Sequence, residues 1–170
     1  MKIITIGEML VEIMRKEEDV PLNQPADFIG PFPSGAPAIF IDAIAKLGHS
    51  STIIGGIGND DFGNCLKKRL SNDGVDLSGV HVTQKLSTGV AFVSYSSDGS
   101  RKFLYHMGNS AAGLIDKHKL DTDLFKGSDM LHINGSTLTM NEDMRKACYK
   151  AVEWAQSKRI KISFDPNLRT

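Results

Sequence analysis

Residues 34–63 read SGAPAIFIDAIAKLGHSSTIIGGIGNDDFG, and this stretch decides the fold class. Pro37 is pre-set for the first turn of a helix, Ile39, Ile41, Ile44 and Leu47 supply apolar faces, and Gly48 suits a left-handed C-terminal cap. The pattern predicts a helix over residues 37–47. Thr52, Ile53 and Ile54 form a β-branched run suited to a buried strand, closed by Gly55 and Gly56. Asn59 is placed to cap a second helix whose first turn carries Asp60 and Asp61, with Phe62, Leu66 and Leu70 at fourfold spacing. Glycines between a strand end and a helix start occupy the place where open α/β sheets bind ligands. The same glycines also suit a plain tight turn, and spacing alone leaves both readings open.

Nucleotide motifs fail on this loop. Gly58 and Gly63 have Walker spacing, but Asn64 and Cys65 follow where a lysine and a magnesium-binding hydroxyl are needed. A dinucleotide fingerprint breaks at Asp61, which takes the place of the third glycine. Asp61-Phe62-Gly63 spells the protein-kinase magnesium triplet without its companion catalytic loop, a chance match.

Outside this stretch the α/β pattern continues. Residues 2–6 read as an opening strand, and residues 9–14 alternate as a half-exposed one. Pro25, Pro31 and Pro33 exclude a helix over residues 24–33. Residues 90–95 and 102–106 flank Ser97-Asp98-Gly99-Ser100, a hairpin signal because Asp-Gly tolerates positive φ. Residues 129–133 form a strand ending at Asn134-Gly135-Ser136. Met144, Ala147, Cys148, Ala151, Val152 and Ala155 mark one helical face behind an Asn141 cap. Ile160, Ile162 and Phe164 alternate along a last strand that delivers Asp165, Asn167 and Arg169 at its carboxyl end.

Twenty basic residues balance twenty acidic ones, which leaves no basic footprint for nucleic acid or an anionic membrane, and no spanning segment or signal peptide is visible. A cytoplasmic location is the default expectation. Cys65 and Cys148 lie in predicted helices without a CxxC pair, so reduced thiols are expected, and the five scattered histidines form no zinc pattern. Met130, Met140 and Met144 read as core filler, and Trp154 as a partly buried ring.

Gly7-Glu8-Met9-Leu10, Gly35-Ala36-Pro37-Ala38, Gly48, the run from Gly56 to Gly63 and the closing Asp165-Pro166-Asn167-Leu168-Arg169 together resemble the ribokinase-like (PfkB) carbohydrate kinases, over essentially the whole chain and in the right order. The resemblance implies a three-layer α/β/α (Rossmann-like) sheet with a small β-sheet lid from residues of about 9–33 and 88–108, the whole being the N-terminal part of one sugar-kinase domain. Such a lid excludes water and closes on substrate, and in the family it often forms a homodimer contact. Gly35, Ala36, Gly55 and Gly56 are implied to line the sugar pocket. Glu12 falls where the family has an aspartate that hydrogen-bonds sugar hydroxyls, although its flanks Val11 and Ile13 also suit a solvated strand residue. His106 is a candidate sugar contact beside Met107, where fructokinase-like members carry an arginine, and it also suits a structural hydrogen-bonder. Ile39 stands where the family has an asparagine that contacts substrate. Asn167 and Arg169 are implied to orient the transferring phosphate or substrate hydroxyls, with Asp165 and Asn167 near phosphate and magnesium. Against this, Asp165 also suits a helix cap and Arg169 the surface.

The implied chemistry is transfer of a phosphoryl group from ATP and Mg2+ to a sugar hydroxyl, accepted by a carboxylate base and stabilised by helix N-terminal amides. The family draws that base from a Gly-Ala-Gly-Asp motif in its C-terminal half, which is not found before Thr170. The chain alone is therefore expected to hold the sugar pocket and lid, to be inactive, and to leave a sheet edge open to association. A neutral ketohexose such as fructose or tagatose is the first expectation, because Asp165-Pro166-Asn167-Leu168-Arg169 is most similar to fructokinases and Met107 is not an arginine. A 2-keto-3-deoxygluconate kinase is the alternative, on Glu8 with Glu12. A non-catalytic sugar-binding or regulatory remnant is the alternative from another class.

Overall fold

The computed structural model describes residues 1–115, 120 and 122–168. Along the chain these form β1 (Lys2–Ile6), β2 (Leu10–Arg15), β3 (Phe28–Ser34), α1 (Ala36–Lys46), β4 (Ser50–Gly58), α2 (Asp61–Asn72), β5 (Val80–Thr83), β6 (Gly89–Tyr95), β7 (Arg101–His106), α3 (Thr122–Phe125), β8 (Met130–Asn134), α4 (Gly135–Met140), α5 (Glu142–Ser157) and β9 (Lys161–Asp165). Five strands make a parallel sheet in the order β5-β4-β1-β8-β9, and four make a second, smaller sheet in the order β3-β2-β6-β7. This is a mixed α/β fold with a parallel sheet between helices.

Both faces of the inner strands β1, β4 and β8 are buried, as parallel strands require, whereas the edge strand β9 is largely exposed. Ile3, Ile53 and Ile57 meet Ile41 of α1 and Leu66 and Leu70 of α2 on one side. Ile4, Ile6 and Ile54 meet Phe125 of α3 and Cys148, Ala151 and Ala155 of α5 on the other. Successive isoleucines of one strand thus fill two separate cores, the consequence of period-2 side-chain alternation. Burial pushes the Cys148 thiol up to about 12, so it is protonated packing, and Cys148 and Cys65 are both free. Trp154 stacks obliquely on Phe125 at 4.9 Å. Among the described residues no helix is long and apolar enough to cross a membrane.

Local signals account for most element ends. Gly48 sits at φ 81° after α1, the left-handed turn its position predicts. Asn141 Oδ1 accepts from Met144 N at 2.8 Å and caps α5, with Glu142 and Asp143 in the first turn. Two expectations are corrected. The cap of α2 is Asp60 and not Asn59: its carboxylate accepts from Gly63 N at 2.8 Å, and from Thr88 N and Thr88 Oγ1 at 2.8 and 2.7 Å. Partial burial of Asp60 favours its protonated form, but the donors from Thr88 and Gly63 outweigh it and hold the carboxyl below its ordinary range. Secondly, β4 does not end at Gly55 and Gly56 but runs through them to Gly58, paired with β5.

Candidate functional site

The glycines of β4 are closed by the protein itself. A Cβ on Gly55 would run into the Gly7 carbonyl oxygen, one on Gly56 into that of Ala111, and one on Gly63 into that of Gly58. All of β4 from Ser51 to Gly58 is buried. Close backbone approach, and not an open ligand loop, is what these glycines permit.

Several chain ends converge at the carboxyl end of β1. Gly35 takes φ 109°, a conformation that L side chains rarely adopt, and lies against the Glu8 carbonyl as the chain turns from β3 into α1. Glu8 itself is buried, its carboxylate accepting from Thr137 Oγ1 at 2.8 Å. Gly35 is buried and Ala36 half-buried at the start of α1.

Glu12 stands on the small sheet, half-buried, and Ser34 Oγ donates to its Oε1 at 2.7 Å. Strand pairing sets Phe32, Glu12, Ala91 and Tyr105 in one row, and Pro33, Val11, Val90 and His106 in the next. Adjacent rows point to opposite faces. His106 therefore lies on the other face from Glu12, exposed, edge-on to Phe92 at 5.8 Å, which in turn meets Phe28 at 5.6 Å. The structure does not bring these two candidates together. On that same face Arg15 is buried, with its guanidinium 4.0 Å over the Phe28 ring and donating to the carbonyls of Ala26, Pro21 and Gln24.

At the carboxyl end of β9, Asp165 caps no helix among the described residues. Its Oδ1 accepts from Asn167 N at 2.9 Å, and its Oδ2 from Asn167 Nδ2 and Asn134 Nδ2, each at 3.2 Å. The Asn167 backbone donor, then its side chain, keeps this exposed carboxyl below the usual carboxylate range. Asn167 itself takes φ 48°. Two strand rows deeper, His132 is buried, stacked on Phe40 at 3.7 Å and sharing a 3.0 Å hydrogen bond between Nδ1 and Ser163 Oγ. Burial holds its imidazole below the ordinary value. Arg169 lies outside the described residues.

Two groups of candidates thus emerge: Glu12 with Ser34 and Gly35, and Asp165 with Asn167 and Asn134. Sequence reasoning missed Ser34 and Thr137 as partners of carboxylates, and no local signal marks either. Asn134 left a usable one, a polar amide ending an apolar strand of a parallel sheet. Among the described residues no three His, Cys, Asp or Glu side chains gather as a metal cluster.

Comparison with known proteins adds the lineage. Over 167 residues the chain is 35% identical to a probable fructokinase-3 of Arabidopsis thaliana, covering 98% of this chain and 48% of that protein. It is 34% identical to a fructokinase of Solanum tuberosum, covering 98% and 52%. Among solved structures, an E. coli protein provisionally designated Ribokinase II, in complex with ATP and Mg2+, superposes with a TM-score of 0.92 at 43% identity, over 99% of this chain and 53% of that one. A fructokinase from Xylella fastidiosa gives 0.87 at 27% identity, over 99% and 51%. The chain spans about half the length of these relatives. Residues 1–170 match the model of the pfkB family carbohydrate kinases from end to end, and the chain belongs to that family.

Proposed function

We propose that this chain carries the sugar-binding part of an ATP-dependent carbohydrate kinase acting on a hydroxyl of a neutral ketohexose such as fructose, in the cytoplasm. The observation that carries the reading is the Glu12 carboxylate, oriented by Ser34 at 2.7 Å beside the turn of Gly35 into α1. An ionised carboxylate accepts only, and a sugar presents O–H donors, so the pair is chemically matched. The fructokinases among the relatives support the choice of a ketohexose.

ATP and Mg2+ enter the proposal because the E. coli neighbour holds both. Asp165 fits that role as a single exposed carboxylate, since Mg2+ keeps most of its shell as water and phosphate oxygens and needs only one or two carboxylates. When bound, the metal neutralises charge on the phosphates. Asn167 and Asn134 hold the Asp165 carboxylate in place through their amide donors. The small sheet acts as a lid that keeps water from the sugar. Its exposed Phe28 and Leu104, on the face away from Glu12, form the proposed contact with a second copy of the chain.

Turnover of the full-length protein with ATP is expected to be highest with fructose or tagatose, below that with ribose, and lowest with 2-keto-3-deoxygluconate. Glu12→Gln is expected to raise the KM for sugar by about tenfold, the loss of one charge-assisted hydrogen bond, with the KM for ATP unchanged. Turnover with the acid alone would sink the ketohexose reading, and sugar binding without any turnover would favour a binding protein.

A further inference from the structure

Asn134 ends β8 as a buried residue, and the two ends of its amide are served unequally. Nδ2 donates to Asp165 Oδ2 at 3.2 Å, whereas Oδ1 is buried with no partner at hydrogen-bond geometry. Asp165 fixes this orientation: its carboxyl is held ionised and can only accept, so the amide turns its NH2 towards it. A buried carbonyl oxygen left without a donor is costly, and the fold calls for one nearby.

The donor lies two residues earlier. His132 and Asn134 share a face of β8, and strand pairing sets His132 beside Ser163 as it sets Asn134 beside Asp165. Around the ring, α1 contributes Phe40, β1 Thr5, and β9 Ser163 with Asp165 beyond it, of which Asp165 alone is charged. Burial is the largest influence on the imidazole and keeps it below its ordinary value, while the Asn134 amide and the Asp165 charge pull the other way. A neutral imidazole carries a single N–H. Its Nδ1 meets Ser163 Oγ at 3.0 Å, where a hydroxyl donates as readily as it accepts, but Asn134 Oδ1 can only accept. One N–H satisfies both neighbours only from Nε2, with Ser163 donating to Nδ1.

We propose that His132 is a positioning residue: its Nε2–H turns to the Asn134 carbonyl, fixes that amide, and through it holds the Asp165 carboxylate in the orientation that receives magnesium-bound ATP. This deepens the reading of Asp165 as the carboxylate that meets the metal and rests on it. Partners behind a metal's ligands tune its affinity by fixing the ligands' orientation.

Long-range proton–nitrogen NMR spectra of the histidine rings in the full-length protein, near neutral pH, read the tautomer of His132. Nε2 is expected to be protonated and Nδ1 bare, and a protonated Nδ1 would overturn the proposal. Isothermal titration with ATP reads the consequence. His132→Phe keeps a ring on Phe40 and loses the N–H, and is expected to weaken binding about fivefold with Mg2+ present and not at all in EDTA. His132→Gln returns a donor near the Nε2 position and is expected to stay within about twofold of the parent. In an Asp165→Asn background the Phe change is expected to add nothing, whereas a merely structural role would weaken both backgrounds alike. If Asp165→Asn weakens binding with Mg2+ and His132→Phe alone does not, Asp165 keeps its role and positioning by His132 is refuted. If Asp165→Asn changes nothing, the metal reading is refuted and this inference with it.

Discussion

In the parallel sheet, Ile4, Ile6, Ile53 and Ile54 are completely buried, whereas in the small sheet Phe28, Phe32, Leu104 and Tyr105 keep 41–50% of their surface exposed. Both sheets are rich in apolar residues, so composition does not separate them. Helices cover both faces of the inner strands of the first, and much of the second has no cover within this chain. One sheet is a scaffold whose inner strands are packed by their own chain, with its edge strand β9 left exposed at Ile162 and Phe164. The other is a working surface whose apolar side chains await contacts from outside it.

That contrast can be broken at its strongest point first. Gly63→Val is expected to cost about 3 kcal/mol or more, because the new side chain overlaps the Gly58 carbonyl oxygen in a region with no room to relax. Urea unfolding followed by circular dichroism measures it, and a loss below about 1 kcal/mol would show that this packing can give way. Arg15→Ala comes next, at about 2 kcal/mol, since it strips hydrogen bonds from the carbonyls of Ala26, Pro21 and Gln24. Hydrogen exchange is expected to speed up in residues 16–27 and not in β1 or β4. Spread of the effect into the parallel sheet would erase the division drawn above.

The smallest effect concerns pH. Burial depresses the His132 imidazole, so below its ordinary value of about 6.5 the unfolded chain takes up a proton that the folded state resists. Stability is therefore expected to fall as pH drops from 7 to 5, and His132→Gln to flatten that slope in thermal unfolding at several pH values. Asp60 and Asp165, whose carboxyls are held low, add their own loss only further down, as pH falls through the carboxylate range. An unchanged slope in the His132 variant would show that another group governs it.

Much of the scaffold was legible in the residues because its signals are local. The apolar stripe and Asn141 cap of α5, the Asp-Gly turn between β6 and β7, and Gly48 after α1 each act within a few residues. Gly55 and Gly56 misled for a physical reason. A glycine pair is a poor strand former, yet β4 passes through it because the Gly7 and Ala111 carbonyls come too close for any side chain. The α2 cap fell to Asp60 because Thr88, 28 residues later, offers it two further donors. Glu12 and His106 were both candidate sugar contacts, and strand register turned them to opposite faces.

By itself the sequence determined the α/β class, the order of most elements and the kinship with carbohydrate kinases, since each follows from short-range periodicity, caps and ordered motifs. Only the tertiary structure decided that the glycines of β4 are filled by backbone, that Ser34 holds Glu12 and that Thr137 holds Glu8. Those are contacts between residues 22 to 129 positions apart in two of the cases. Chain geometry, not local preference, creates such contacts, and local preference is what a sequence states most directly.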